Sequence, residues 1–191
     1  DNDFDTVRET GQDRETYLLA SAFNTMIAKI RHATDEILAR EDEIIGRLAR
    51  AGEQRDDQTG EHVARVAALS RIVGNGLRLD PAFVRELWRA SPMHDIGKVA
   101  VPDAILFKAG PLDPDERRIM QEHTQSGHRI LSGSKSSLVQ LAAEIALSHH
   151  ERWDGSGYPA GLSGDRIPIS GRITAVADVC DALLSSRPYK K

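Results

Sequence analysis

The feature that most constrains this fold is a long apolar seam near the start of the chain. Its positions are separated by steps of three and four residues, which is the period of a coiled coil. They are Leu19, Phe23, Met26, Ile30, Ala33, Ile37, Arg40, Ile44, Leu48 and Ala51, with a single arginine among apolar residues. The residues between them are mostly charged, so one helix cannot bury so narrow a seam alone. We predict a parallel homodimer through this seam; the alternative is an amphipathic helix packed on its own domain.

The composition is typical of a globular protein with a polar surface. The 191 residues are 40% hydrophobic and 28% charged, with a net charge of −4, which favours neither a nucleic-acid polymer nor an anionic membrane as a partner. No apolar run is long enough to span a bilayer, and no signal peptide is visible. The single cysteine, Cys180, fits a reducing compartment, so a cytoplasmic location is expected. The sequence lacks an initiator methionine, which suggests a fragment of a longer protein.

The pattern changes after residue 52, and we predict a boundary between a signalling helix, 1–52, and a second domain, 53–191. Apolar residues in the second domain recur at helical spacing, and no stretch alternates with a period of two, so an all-α fold is predicted. Asp80-Pro81 and Asp113-Pro114 are typical of helix starts. The predicted helices are EHVARVAALSRIVGNGL, AFVRELWRASPMH, DERRIMQEHTQSGHRIL, SSLVQLAAEIALSHH and SGRITAVADVCDALLS.

Several histidines and carboxylates lie on the apolar sides or at the ends of these helices. A buried imidazole or carboxylate is costly unless it is hydrogen-bonded or binds a cation, and one shared metal site would account for all of them. The candidates are His62, His94, Asp95, His123, His149, His150 and Asp178. Their nitrogen and oxygen ligands, without thiolate, suit iron, manganese or zinc. Asp95 follows a candidate ligand directly, and we predict that it bridges two ions.

Three motifs, HDIGK, HHERWDGSGYP and ITAVADVCDAL, resemble the HD-GYP branch of the HD phosphohydrolase superfamily. The resemblance covers about Glu53 to Lys191. It implies an HD-type helical bundle and a metal-dependent phosphodiesterase of bacterial signal transduction. The implied reaction converts cyclic di-GMP to linear pGpG, or further to GMP, with a hydroxide held by two metal ions.

The resemblance also assigns roles to individual residues. The implied metal ligands are the seven residues given above. Lys98 and Asp95 are the implied catalytic residues, and Lys98 would face the scissile phosphate. The implied substrate-binding residues are Lys98, Tyr158, Arg187 and Lys190.

One position departs from the family pattern. Members that bind three ions carry a glutamate where this chain has Gln58, and a neutral amide is a poor ligand for such cations. We therefore predict two divalent ions rather than three, with iron or manganese favoured and zinc as the alternative, and His150 as the least firmly assigned of the seven ligands. The alternatives to cyclic di-GMP hydrolysis are an HD-type hydrolase of another nucleotide and a catalytically weak signalling or dimerisation module.

The first helix has a resemblance of its own. GQDRETYLLASAFNTMIAKI is similar to the last helix of a HAMP signalling module. This resemblance implies a parent protein anchored in the inner membrane, with the present chain in the cytoplasm and without membrane contact of its own. A generic dimerising helix is the alternative.

Overall fold

The computed structural model describes residues 14–53 and 61–184, and no β-strand occurs within these ranges. The helices are α1 (Arg14–Glu53), α2 (Glu61–Gly76), α3 (Pro81–Ala90), α4 (Asp103–Leu106), α5 (Pro114–Gln121), α6 (His123–Leu131), α7 (Ser137–Ser148) and α8 (Ile169–Leu184). Short 3-10 turns occupy Ser91–Met93, Ile96–Ala100 and Gly164–Arg166. A single bridge joins Asp154 to Ser163. The prediction of an all-α fold is confirmed.

The predicted seam lies on one continuous helix, α1, which is 40 residues long. The seam side chains from Leu19 to Leu48 are exposed in this single chain; Leu19 is 73% exposed and Ile37 66%. The chain divides into two compact units, of which the first ends at Ile44 and the second begins at Ile45. Because α1 runs through residue 52, the boundary drawn there from the sequence stays a prediction. Within the described ranges, no helix has the length and apolarity that crossing a membrane requires.

The second unit contains the main hydrophobic core, which α3, α7 and α8 build together with the last turns of α1. Its apolar residues are less than a tenth exposed because the helices interlock closely. The members of this core are Ile45, Ala49, Leu87, Ala90, Met93, Leu138, Ala142, Ile145 and Ile173. The histidine-rich chain segments therefore start from rigid helix ends.

Both predicted aspartate–proline helix starts are present. Asp80 accepts hydrogen bonds from the backbone N–H groups of Ala82 at 2.7 Å and Phe83 at 3.2 Å. Asp113 forms a capping box with Glu116, in which each side chain accepts from the other's backbone N–H. These bonds satisfy N–H groups that the first helical turn leaves without partners.

Two sequence predictions of local structure were wrong. The segment DERRIMQEHTQSGHRIL is not one helix, because the chain breaks at Glu122 between α5 and α6. The break makes His123 the first residue of a new helix. The helix predicted to reach His94 ends at Ala90, and a 3-10 turn follows it. His94 and Asp95 therefore lie in a tight connection between two such turns.

Candidate metal centre

All seven ligands predicted from the sequence lie in the described part of the chain. His62 is the second residue of α2, His123 opens α6, and Asp178 lies in α8. His149 and His150 follow the last residue of α7. The structure brings these seven residues into two groups, in each of which the ligand atoms lie within 4.8 Å of one another. One group is His62, His94 and Asp178; the other is Asp95, His123, His149 and His150.

Asp95 contacts histidines with both of its carboxylate oxygens. Its Oδ1 lies 3.2 Å from His123 Nε2 and 3.5 Å from His149 Nε2. Its Oδ2 lies 3.3 Å from His94 Nε2, which belongs to the other group. A carboxylate in this position presents one oxygen to each group.

Three of the histidines are anchored to the backbone turn that precedes them. The Nδ1 atom lies 2.9 Å from the carbonyl of Ser91 in His94, 2.7 Å from that of Met120 in His123, and 3.0 Å from that of Ile145 in His149. A carbonyl only accepts, so Nδ1 carries the hydrogen and Nε2 keeps its lone pair. The ring orientation is thus set by the chain itself.

The inward-facing atoms lack hydrogen-bond partners. Among the described residues, Nε2 of His94, His123 and His149 and Oδ1 of Asp95 are buried and form no hydrogen bond of acceptable geometry. Buried polar atoms are almost always satisfied, so a cluster of four nitrogen and oxygen atoms without hydrogen-bond partners favours a bound cation. The residues present therefore fit a divalent metal centre of nitrogen and oxygen ligands.

Electrostatics favours an ionised Asp95. Burial alone would raise the pKa of this carboxyl group, but the charges of Lys98 and His94 outweigh it and hold the pKa well below its usual range. Burial would likewise lower the pKa of His94, but the Asp95 carboxylate prevails and raises it to about 9. Without an ion, the site thus holds a proton on His94 that a metal would have to displace.

His150 is neutral and lies against Tyr158. Burial, together with the neighbouring His149, lowers the pKa of His150 to about 2. Its ring stacks on that of Tyr158 with a centroid distance of 4.7 Å and an interplanar angle of 25°. Burial also raises the pKa of the Tyr158 hydroxyl, which therefore stays a hydrogen-bond donor. Tyr158 lies at the edge of the histidine cluster.

The loop that carries Tyr158 is held by a buried glutamate that sequence analysis missed. Glu151 is 6% exposed and accepts hydrogen bonds from Ala160 N and Leu162 N, both at 2.8 Å. Gly157 is required by close packing, because a Cβ there would meet Arg152 N at 2.3 Å. These contacts hold the loop in a compact form that keeps Tyr158 beside the histidines.

The connection that bears Asp95 packs just as closely. A Cβ at Gly97 would lie 1.9 Å from His123 O and 2.4 Å from Gly127 N, both of them backbone atoms of α6. Only glycine permits this approach. It brings Asp95 and Lys98 against the start of α6, where His123 lies.

A second missed residue, Asp181, supports His62. Asp181 is 3% exposed, and its Oδ2 lies 2.6 Å from His62 Nδ1. Arg65 donates to both oxygens of the same carboxylate, from Nε at 2.5 Å and from Nη2 at 3.1 Å. Burial would raise the pKa of Asp181, but the hydrogen bonds from Arg65 and His62 lower it. The signal in the sequence was a second aspartate three residues after Asp178, on the same face of α8.

Of the remaining predicted residues, one lies at the site and three lie outside the described residues. Lys98 Nζ lies 2.8 Å from Asp95 Oδ2. Gln58, Arg187 and Lys190 fall outside the described residues, so the predictions that concern them are not addressed by the structure.

Comparison with known proteins finds one matching family and several similar relatives. The sequence model described as "HD domain" matches residues 47–191. The chain is 49% identical over 157 residues to the cyclic di-GMP phosphodiesterase response regulator RpfG of Xanthomonas campestris, covering 82% of this chain and 42% of that protein. It is 53% identical over 148 residues to a cyclic di-GMP phosphodiesterase of Thermotoga maritima, covering 78% of this chain and 40% of that protein.

A relative with a different named substrate is equally similar. The 3'3'-cGAMP-specific phosphodiesterase 2 of Vibrio cholerae is 53% identical over 148 residues, covering 78% of this chain and 28% of that protein. The chain thus spans less than half the length of the curated relatives it matches. Among solved structures, a cyclic GMP-AMP specific phosphodiesterase of Vibrio cholerae superposes with a TM-score of 0.53 at 21% identity, covering 74% of this chain and 40% of that one. This last similarity supports the helical fold.

Proposed function

This chain belongs to the HD domain family, and we propose that it is a metal-dependent phosphodiesterase that hydrolyses cyclic di-GMP to linear pGpG. In that reaction, water adds to phosphorus, one P–O3′ bond breaks, and the released 3′ oxygen takes up a proton. The observation that carries the proposal is the cluster of unsatisfied acceptors around Asp95, whose two oxygens face two groups of candidate ligands.

We propose that two divalent ions occupy these groups, with Asp95 between them. His62, His94 and Asp178 would hold one ion, and His123, His149 and His150 the other. Iron or manganese is the expected metal, and zinc is compatible with the same ligands. When bound, the ions would lower the pKa of a water molecule and neutralise charge on the phosphodiester.

The protein's own side chains would orient the substrate and stabilise its charge. Lys98 lies beside Asp95, so its ammonium would reach a non-bridging phosphate oxygen held at the site and stabilise negative charge that grows there. The Tyr158 hydroxyl keeps its proton and would donate a hydrogen bond to the substrate. It would do so from the part of the site where the Tyr158 ring stacks on His150. Arg187 and Lys190 remain proposed phosphate-binding residues on the strength of the sequence resemblance alone.

The first helix would serve assembly. The exposed seam on α1 supports a parallel homodimer, because its apolar side chains need a partner surface. We propose, from the HAMP-like sequence, that the parent protein is membrane-anchored and that this part acts in the cytoplasm.

Substrate choice calls for a direct comparison, because relatives named for cyclic di-GMP and for 3'3'-cGAMP reach the same identity. The experiment is metal analysis of the purified chain, then turnover of both cyclic dinucleotides after loading with Mn²⁺ or Fe²⁺. We expect two ions per chain and linear pGpG from cyclic di-GMP. A chain that binds metal but cleaves only 3'3'-cGAMP would correct the substrate, and one that binds no metal would contradict the proposal.

A further inference from the structure

Hydrogen bonds among His62, Arg65 and Asp181 link α2 to α8 beside the candidate metal ligands. His62 Nδ1 lies 2.6 Å from Asp181 Oδ2, and Arg65 contacts both oxygens of the same carboxylate at 2.5 and 3.1 Å. On the other side of the imidazole ring, Nε2 lies 3.4 Å from Asp178 Oδ1. The ring is therefore bracketed by two carboxylates that lie one helical turn apart on α8.

The two aspartates differ in what surrounds them. The side chain of Asp178 is 23% exposed and belongs to a group of candidate ligands. The side chain of Asp181 is only 4% exposed, and Arg65 and His62 engage its oxygens. Asp181 has little capacity left to bind an ion, so its contact with His62 is its evident contribution to the site.

His62 differs from the other buried histidines of the site in the partner of its Nδ1 atom. The other three buried histidines donate Nδ1–H to a backbone carbonyl three or four residues earlier. At His62, near the start of α2, the partner of Nδ1 is instead a side chain. A side chain from another helix takes over the role, and the carboxylate of Asp181 reaches the same ring nitrogen.

We propose that Asp181 is a positioning residue, which holds His62 with Nδ1 protonated and Nε2 directed at the ion, while Arg65 fixes the Asp181 carboxylate. This inference rests on the proposed metal centre. A carboxylate behind a ligating imidazole fixes the tautomer and the ring orientation, and its loss typically costs ten- to a hundredfold in metal affinity. The bidentate contact from Arg65 is the geometry that orients a carboxylate best.

The test is Zn²⁺ binding to Asp181→Asn, measured by competition with a chromophoric chelator. The amide keeps the shape of the side chain but can donate to Nδ1, which favours the tautomer with hydrogen on Nε2. We expect one of the two dissociation constants to rise by roughly ten- to a hundredfold. The matched control is Glu61→Gln, since Glu61 contacts the same arginine at 3.4 Å from a largely exposed position. Its zinc affinity should equal that of the wild type.

Folding and function are separated by further measurements. Circular dichroism of the metal-free variants reports the fraction folded, and a purely structural ion pair would lower thermal stability without changing zinc affinity. If Asp181→Asn does not fold, Arg65→Gln decides, with a smaller loss of affinity expected in the same direction. Wild-type affinity in every folded variant would overturn the positioning role alone. A wild-type chain that binds no zinc would overturn the proposed metal centre, and this inference with it.

Discussion

Lys98 Nζ lies 2.8 Å from Asp95 Oδ2, one turn further along the same connection. The other oxygen of Asp95 faces the imidazoles of His123 and His149. Both oxygens of the carboxylate therefore face candidate metal ligands, and Oδ2 contacts the ammonium of Lys98 as well as His94. A phosphate drawn to ions at this site would meet the ammonium of Lys98, so the lysine and the ligands can be tested separately.

We expect Lys98→Ala to lower the turnover of cyclic di-GMP by roughly a hundredfold while both ions stay bound, because one charge-stabilising donor is lost. Steady-state kinetics and elemental analysis of the same preparation measure both effects. Lys108→Ala is the control. Lys108 Nζ lies 2.5 Å from Glu116 Oε2, and neither residue belongs to the histidine cluster. Near-normal turnover in Lys98→Ala would show that this lysine has no catalytic role.

Asp95→Asn should lose at least one ion. An amide offers one weakly coordinating oxygen where the carboxylate presents two charged ones, so the link between the two ligand groups fails. Elemental analysis after dialysis should give fewer than two ions per chain. Retention of both ions at wild-type affinity would refute the bridging role of Asp95.

Gly97→Ala should destabilise the fold and disturb the site. The added Cβ would overlap backbone atoms of α6, which cannot rotate away, so the loss in the free energy of unfolding should lie at the upper end of the usual overpacking cost, about 3 kcal/mol. Denaturant unfolding measures this loss. Gly76→Ala, at a position with open space around it, is the matched control and should be neutral or slightly stabilising. Equal stability of the two variants would contradict the close packing described for Gly97.

Metal affinity should rise between pH 7 and about 9. The pKa of His94 is raised to about 9 in the absence of an ion, so its proton competes with the metal at neutral pH. The same proton stabilises the metal-free fold below pH of about 6.5, and this contribution is lost as pH rises through 9. Mn²⁺ titrations across this range check the first effect, and thermal melts of the metal-free protein check the second. A pH-independent affinity would contradict the assignment of this proton to His94. His128→Gln is the control and should keep the wild-type profile, because His128 contacts the backbone carbonyl of Ala143 at 3.2 Å and belongs to neither ligand group.

The double variant Ile30→Asn, Ile37→Asn should weaken dimerisation, because it places two amides in the apolar seam. Light scattering over a range of concentrations measures the change in mass. The matched control is Lys29→Asn, next to the seam but outside it. A monomeric wild-type chain at all concentrations would remove the basis for the coiled-coil dimer.

The helical fold and the ligand clusters followed from the sequence because helix periodicity and costly buried polar residues are local signals. The Asp113 capping box is of this kind, and so is the carboxylate of Asp178 within a largely apolar helix. Each of these features can be recognised from residues within one or two helical turns.

What the sequence could not reveal depends on distant contacts. The pairing of Asp181 with His62 joins positions 119 residues apart, and no local pattern encodes it. The break at Glu122 was missed because its neighbours continue a helical pattern. The close packing of α6 against Gly97 is likewise a contact between distant segments that no local pattern reveals. Glu151 was overlooked because its partners are backbone groups of the following loop.

The anchoring of His94, His123 and His149 to their own preceding turns has a consequence for how an ion is retained. The rotamer entropy of each ring is lost when its helix end forms, so little of it remains to be lost when a cation arrives. The cluster is then a rigid cage whose tightness depends on helix ends that do not fray. Substitutions that loosen the last turn of α7 would speed the release of an ion even though they touch no ligand.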